Sequence, residues 1–333
     1  MMLPVVFHPD YVAPLRRGHR FPMSKYGYLR EALVARRLLP AAGGFVAPAP
    51  VSVARAAAVH ALGYVERVAN QALSPAEERL IGLPNTAAVA RRAFLSAAGT
   101  LLAARLALEH GVACNMAGGS HHAGPEGGAG FCVFNDVAVA AQALLDEGRA
   151  ARVLVVDCDV HQGDGTARIF AGRPEVMTLS LHAERNYPAR KAASSLDFPL
   201  PDRLGDRAYL EVLGHALAAT EAFRPDIVFY NAGVDPHAGD RLGRLALSDA
   251  GLRARDARVL GWAAGRGLPV AASAISIRVA VSTPISPCSR SMIAKSKPVP
   301  ATISATSGLG SASQQPISTP SEAIPSPLSD APA

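Results

Sequence analysis

Apolar, mostly β-branched runs alternate with segments of helical spacing along most of this chain, and this alternation strongly limits the fold. Six such runs occur: PVVF from residue 4, GVACNMA from 111, RVLVVDCDV from 152, EVMTLSLH from 175, PDIVFYNAG from 225 and LPVAA from 268. Between them lie segments such as SAAGTLLAARLALEHG, NDVAVAAQALLDEGRA and DRAYLEVLGHALAATEAF. Continuous apolar strands separated by helices are typical of a parallel sheet buried on both faces. We therefore predict a single α/β domain, an open and mostly parallel sheet with helices on both faces.

Composition and charge exclude several classes of protein. The hydrophobic fraction of 49% and the charged fraction of 18% indicate a globular chain, and the basic residues behind the net charge of +6 are scattered. Scattered charge predicts no direct nucleic-acid binding. The N-terminus lacks a basic region followed by an apolar core, and no apolar run reaches about 18 residues, so we expect no membrane span and a cytoplasmic location. The oligomeric state stays open.

The four cysteines show no C-x-x-C spacing. Cys114, Cys132 and Cys158 lie in apolar segments, where a small buried thiol is the expected role, and Cys288 lies nearer the C-terminus. Neither a disulfide framework nor a zinc knuckle follows from this pattern.

The character of the chain changes near residue 271. The remaining residues are rich in Ser, Pro, Ala and Thr, and no aromatic residue follows Trp262. Such a segment buries too little apolar surface to offset its ordering entropy. We therefore predict a folded domain over residues 1–270 and a disordered C-terminal tail over 271–333.

Polar, glycine-rich residues follow the predicted strands, at the edge where parallel sheets bind ligands. Asp159 and His161 follow one strand and are two residues apart, so both can face one ion, with Asp157 on the same side. Solvated acids at a capped strand end are the competing interpretation. Asp240 lies in a glycine-flanked loop after another strand, where a turn-forming role competes. Asp159, His161 and Asp240 together would leave a coordination position open, as catalytic zinc requires.

The adjacent pair His121 and His122 lies between glycines in GGSHHAGPEGG. Most such pairs are solvated loop residues or satisfied core groups. Beside a metal-bound water, however, the imidazoles would supply a base and an acid, and Asp157 and Asp164 are available to fix their tautomers.

The chain resembles the zinc-dependent histone deacetylase family, and within it the class IV type and its bacterial relatives. The resemblance spans roughly residues 5 to 262 and rests on five motifs in family order: GHRFPMSKYGYL, GGSHHAGPEGGAGFCVFND, DCDVHQGDGTA, TLSLHAERNYPARK and NAGVDPHAGDRLGRLALS. It implies an arginase/deacetylase-like fold and zinc as the cofactor, with ferrous iron as the alternative metal.

The resemblance also implies roles for individual residues. His122, paired with Asp164, would act as general base and acid, while His121, paired with Asp157, assists electrostatically. Residues at the family's zinc-ligand positions are Asp159, His161 and Asp240. The wall of an acyl-lysine tunnel matches Gly130, Phe131 and Tyr187, although ordinary core packing is the competing interpretation for the two aromatic residues. A structural potassium site matches Asp157, Asp159, His161, Ser180 and Leu181.

One family element is missing from the sequence. The family places a catalytic tyrosine in a Gly-Gly-Gly-Tyr motif after the strand that corresponds to LPV, but this chain has no tyrosine after Tyr230. Losing one oxyanion donor typically lowers the rate by a factor of about 10² to 10³. The change in composition suggests a frameshift, and a tyrosine codon hidden in another frame near codon 272 would support it.

The leading prediction is a zinc-dependent amidohydrolase that removes acyl groups from lysine side chains of proteins. Acetylpolyamine hydrolysis is the alternative within the enzyme class, because the same groups act on any acylated primary amine. A two-metal ureohydrolase would need more ligands than this spacing offers. A different class, an inactive metal-binding protein, is suggested by the missing tyrosine.

Overall fold

The computed structural model describes residues 3–273, and they form one α/β unit around a seven-stranded sheet. The strand order is β1-β2-β7-β6-β3-β4-β5, and every neighbouring pair is parallel. The strands are β1 Val5–Val6, β2 Val112–Asn115, β3 Val153–Asp157, β4 Val176–Ala183, β5 Leu196–Leu200, β6 Ile227–Asn231 and β7 Val270–Ser273.

Helices cover both faces of this sheet. They are α1 Lys25–Ala35, α2 Val53–Ala56, α3 Leu62–Ala69, α4 Pro75–Ile81, α5 Ala87–His110, α6 Asp136–Asp146, α7 Asp164–Ile169, α8 Asp206–Ala219 and α9 Asp249–Ala264. Alternate residues of β3 enter separate cores, because successive side chains of a strand point to opposite faces. Leu154 and Val156 pack on the side of α8 and α9, while Val153 and Val155 pack on the side of α5 and α6.

The sequence prediction of the fold class is confirmed by this arrangement. One strand was missed: β5 is an edge strand with alternating burial and a proline at Pro199, so it lacks the continuous apolar run of the inner strands. The predicted boundary at residue 270 falls inside β7, whose small residues Ala271 and Ala272 are buried between β2 and β6. The rest of the predicted tail, 274–333, lies outside the described residues.

Helix α5 is the central helix of one face. By length and composition alone it could cross a membrane, but 72% of its apolar window is buried inside the protein. Its alanines pack against α6 and the sheet, as in the core helix of a globular domain. Cys114, Cys132 and Cys158 are buried free thiols, and Cys288 lies outside the described residues.

Candidate active site

Three loops meet at the carboxyl edge of the sheet. They follow β2, β3 and β6, and the last register positions of the inner strands pair Asp157 with Asn231 and Asn231 with Ser273. The loop after β2 carries the histidine pair, the loop after β3 carries Asp159 and His161, and the loop after β6 carries Asp235. The sheet therefore brings together side chains that are up to about 110 residues apart.

The first histidine, His121, is buried against Asp157. Its Nδ1–H donates to Asp157 Oδ2 at 2.6 Å, and Asn231 Nδ2 donates to the other carboxylate oxygen at 3.0 Å. Burial by itself lowers the pKa of His121, but Asp157 and Asp159 outweigh burial and raise that pKa to about 9. A positive His121 is therefore the stable form at neutral pH in the protein without a metal ion.

The second histidine, His122, has the opposite electrostatic environment. Its Nδ1–H donates to Asp164 Oδ1 at 2.7 Å, and Arg168 holds the other oxygen of that carboxylate at 2.6 Å. Burial and the neighbouring charge of His121 lower the pKa of His122 to about 4. The two rings lie 4.2 Å apart between centroids, so a proton on one disfavours a proton on the other. His122 is the neutral imidazole of the pair.

Two carboxylates and one imidazole converge next to this pair. One ligand atom each from Asp159, His161 and Asp235 lies within 4.8 Å of the others. His161 Nδ1 is 2.9 Å from Asp159 Oδ1 and 3.1 Å from Asp235 Oδ2. We call these three residues the carboxylate–imidazole cluster.

The cluster contains Asp235, whereas the sequence analysis predicted Asp240 as the third metal ligand; the role of Asp240 stays a prediction. Asp235 Oδ1 accepts from the backbone N–H of Val160, which holds its carboxylate against the loop after β3. Asp240 is exposed, and its Oδ1 accepts from the backbone N–H groups of Leu242 and Gly243 at 2.8 and 2.9 Å. In this structure Asp240 therefore makes the hydrogen bonds of a turn-forming aspartate and lies outside the cluster.

The donor set of the cluster fits a divalent metal ion. Two carboxylates and a neutral imidazole balance a charge of +2 and leave coordination positions open. Without a cation the carboxylates repel each other: burial and the charge of Asp159 raise the pKa of Asp235 to about 6. Burial lowers the pKa of His161, but Asp159 and Asp235 together raise it to about 10, so a proton is held where an ion would lie. The cluster therefore attracts positive charge.

The backbone of the histidine loop is held by residues that the sequence analysis did not single out. His60 Nδ1–H donates to Gly124 O at 2.8 Å, and Asn135 Nδ2 donates to Ala123 O at 3.1 Å. Asp136, buried at the start of α6, accepts from the backbone N–H groups of Gly119 and Ser120. Asn135 and Asp136 carry a helix-capping signal that could have drawn attention to them, whereas nothing in the sequence marks His60.

The residues predicted to line an acyl-lysine tunnel lie beside His122. The Tyr187 ring is 41% exposed and lies edge-on to His122, with 4.8 Å between centroids. Gly130 has a φ of +55°, and a Cβ atom there would lie 2.7 Å from the His122 ring and 3.1 Å from Tyr187. Phe131 is partly buried and packs against Phe21, with 5.4 Å between centroids. Gly130 and Tyr187 thus border His122, while the Phe131 ring packs away toward the N-terminal segment.

The residues predicted to hold potassium lie in the adjacent strands β3 and β4 or just after β3. Ser180 pairs with Asp157 in the register of β3 and β4, and Leu181 follows Ser180 in β4 with its side chain fully buried. Ser180 Oγ lies 3.0 Å from His182 Nδ1. The potassium site stays a prediction.

Two solved structures share this architecture. The HD domain of HDA15 superposes with a TM-score of 0.69 at 25% identity, covering 84% of this chain and 85% of that domain. The acetylpolyamine aminohydrolase from Burkholderia pseudomallei superposes with a TM-score of 0.63 at 25% identity, covering 81% of this chain and 92% of that enzyme. The fold is thus that of the deacetylase class of hydrolases.

Sequence comparisons narrow the class to a family. The family model described as the histone deacetylase domain matches residues 19–273. An uncharacterized protein of Picosynechococcus sp. is 46% identical over 272 residues, which cover 81% of this chain and 90% of that protein. A protein of Methanothermobacter thermautotrophicus named "Probable deacetylase" is 30% identical over 262 residues, covering 74% of this chain and 77% of its own length. The chain belongs to the histone deacetylase family, as its motifs predict, and this membership supports a hydrolase.

Proposed function

We propose that this protein is a zinc-dependent hydrolase that cleaves the amide bond of acylated lysine side chains. One observation carries the proposal: two buried His–Asp pairs adjoin a cluster of two carboxylates and an imidazole at the carboxyl edge of the sheet. Such a set of residues contains a base, an acid and a metal ligand set, which hydrolysis of an amide requires.

The metal ligands in this proposal are Asp159, His161 and Asp235. A zinc ion there supplies Lewis acidity toward the acyl carbonyl oxygen and lowers the pKa of a water molecule. Ferrous iron has the same relevant chemistry toward this donor set and is the alternative metal.

The histidine pair divides the proton transfers in this proposal. His122 is neutral, so its Nε2 can take a proton from the attacking water, while its Nδ1–H stays bonded to Asp164. The same nitrogen then gives that proton to the leaving amine as the C–N bond breaks, which yields a carboxylate and a free lysine side chain. His121, bonded to Asp157, assists electrostatically where negative charge develops on the carbonyl oxygen.

Two residues that border His122 would meet the substrate in this proposal. Gly130 approaches the His122 ring closely and the exposed Tyr187 ring lies edge-on to it, so both would contact the methylene stem of an acylated lysine. An acetylated polyamine has a similar stem, so it is the second substrate in the test.

The test is an assay of the purified full-length chain, loaded with zinc, on a fluorogenic acetyl-lysine peptide and on an acetylated polyamine. We expect peptide hydrolysis that requires zinc and that His122→Ala abolishes while one equivalent of zinc still binds. If the enzyme prefers the polyamine, an acetylated polyamine replaces acyl-lysine as the proposed substrate. Zinc binding with activity no higher than that of His122→Ala would contradict the proposal and indicate an inactive metal-binding protein.

A further inference from the structure

Arg255 is a fully buried cation directly behind the carboxylate–imidazole cluster. It lies on α9, its side chain is 0% exposed, and it is one of the largest fully buried side chains among the described residues. Burying a guanidinium is costly unless its charge is paired and its N–H groups are bonded. We therefore expect the N–H groups of this buried arginine to have hydrogen-bond acceptors.

Four hydrogen bonds and an ion pair hold this guanidinium. Nε–H donates to Asp256 Oδ1 at 2.8 Å, and Nη2 lies 2.8 Å from the same oxygen, so the adjacent carboxylate balances the charge. Nη1 donates to Cys158 O at 3.1 Å and to Gly233 O at 2.5 Å, and Nη2 also donates to Ala232 O at 3.3 Å. Five donors thus face one carboxylate and three backbone carbonyls.

These carbonyls belong to both loops that carry the cluster. Cys158 directly precedes Asp159, and Ala232 and Gly233 lie shortly before Asp235. The paired register of β3 and β6 ends at Asp157 and Asn231, where neighbouring strands would otherwise diverge. Arg255 crosses this gap just beyond the last register pair.

The two loops also approach each other very closely at this point. A Cβ atom on Gly233 would lie 2.4 Å from Asp159 Oδ2 and 2.7 Å from Asp159 Cα. Glycine permits the approach, but nothing in a glycine holds the backbones together. The planar fork of Arg255 supplies that attachment: Nη1 bonds a carbonyl of each loop, while Nε and Nη2 fix the orientation of the fork against Asp256.

We propose that Arg255 is a positioning residue that sets the spacing of the loops after β3 and β6, and thereby the distance of the aspartates in the loop after β6 from Asp159 and His161. The inference rests on the proposed function only in treating Asp159, His161 and an aspartate of the loop after β6 as the metal ligands. Lysine would keep the charge but place its three donors on one nitrogen, so it could not bond the carbonyls of both loops and Asp256 in the same way.

The test compares Arg255→Lys with Arg92→Lys in the full-length chain. Arg92 is a matched control: it is 4% exposed on α5 and donates to Tyr11 O and Tyr26 Oη, away from the cluster. Zinc affinity is measured by competition with a chromophoric chelator, coordination by the absorption spectrum of the cobalt-loaded protein, and folding by thermal melting. We expect Arg255→Lys to weaken zinc binding by about 10- to 100-fold and to change the cobalt spectrum.

Arg92→Lys should lower the melting temperature similarly and leave zinc affinity within about twofold of wild type. If Arg255→Lys does not fold, the isosteric Asp256→Asn decides, because it weakens the anchor of the guanidinium and should lower zinc affinity at least threefold. Unchanged affinity and cobalt spectrum in the folded variant, or a wild-type chain that binds no zinc, would overturn the inference. A wild-type chain that binds zinc but cleaves no acyl-lysine, with weaker binding in Arg255→Lys, would contradict the proposed function alone.

Discussion

Asp235 and Asp240 lie in one loop, yet their carboxylates have different contacts. Asp235 accepts a hydrogen bond from Val160, a residue of the neighbouring loop, and so faces the cluster. Asp240 instead accepts hydrogen bonds from the backbone N–H groups of Leu242 and Gly243 in its own loop. Both residues follow a strand and both adjoin turn-forming residues, so local sequence does not separate them. The contact with the loop after β3, which is distant in sequence, makes the difference.

The first prediction compares these two aspartates. Asp235→Asn should lower zinc affinity by a factor on the order of 100 or more, because it removes one of three charged or basic ligands. Asp240→Asn should leave zinc affinity within about twofold, since its carboxylate lies in a surface turn. Isothermal titration of zinc into the metal-free variants measures both. Equal losses in the two variants would contradict the assignment of Asp235.

The second prediction concerns the close approach at Gly233. A methyl group in Gly233→Ala would meet Asp159 at 2.4 Å, so one of the two loops must shift. We expect zinc affinity to fall at least tenfold and stability to fall by about 1–3 kcal/mol. Gly261→Ala is the matched control, because a Cβ there meets nothing within 4 Å and α9 gains a better helix former. Chemical denaturation and zinc titration of both variants check the prediction. Equal zinc affinity and equal stability of Gly233→Ala and Gly261→Ala would refute it.

At the scale of elements, the histidine loop is held by helices on three sides. His60 reaches it from just before α3, Asn135 and Asp136 from the start of α6, and Thr166 in α7 donates its backbone N–H to His121 O. Polar bonds rather than apolar packing set the backbone of this glycine-rich loop. The arrangement of the His–Asp pairs therefore depends on the packing of α3, α6 and α7.

The third prediction is a pH dependence of stability that originates at His60. Its Nδ1–H donates to Gly124 O and its Nε2 accepts from Asn135 N–H, so the folded protein holds the neutral ring. Burial lowers the pKa of His60 to about 4, against about 6.5 in an unfolded chain. Protons then bind more strongly to the unfolded state. The stabilisation is fully present above about pH 6.5 and is lost as the pH falls toward 4, by about 3 kcal/mol in total.

Urea denaturation of the metal-free protein between pH 7 and pH 4 measures this dependence. His60→Gln should be less stable at pH 7 and should lose less stability on acidification than wild type. His215→Gln, on the exposed side of α8, is the control for removal of a histidine. If the free energy of unfolding of wild type and of His60→Gln falls in parallel as the pH is lowered, His60 does not contribute to the pH dependence of stability.

At the scale of the whole molecule, the described fold ends with β7, at the centre of the sheet. β7 pairs with both β2 and β6, and its last residue lies level with Asn231 at the edge that carries the site. The chain that leaves β7 therefore starts beside the histidine pair and the cluster. This is the place where the family resemblance expects the Gly-Gly-Gly-Tyr motif, and the sequence instead continues as AISIRVAV.

The fourth prediction concerns this departure. If the change of composition is a frameshift, the gene should encode Gly-Gly-Gly-Tyr in another frame near codon 272, and sequencing that region tests it. A frame-corrected chain should then hydrolyse the acetyl-lysine peptide faster than the present chain by a factor of about 10² to 10³, because one oxyanion donor is restored. Absence of the motif in every frame would refute the frameshift.

The sequence by itself determined the parallel α/β sheet, because continuous apolar strands and amphipathic helices are local patterns that burial on two faces requires. It also predicted His121, His122, Asp157, Asp159, His161 and Asp164 at one edge, since each follows a strand or begins a helix. Only the tertiary structure decided which aspartate completes the cluster, what holds the two ligand loops together and which residues support the histidine loop. Those choices depend on β6 lying beside β3 and on α9 packing beneath both, contacts between segments roughly 75 to 100 residues apart. No local pattern of residues encodes such contacts, because they follow from the order of the strands in the sheet.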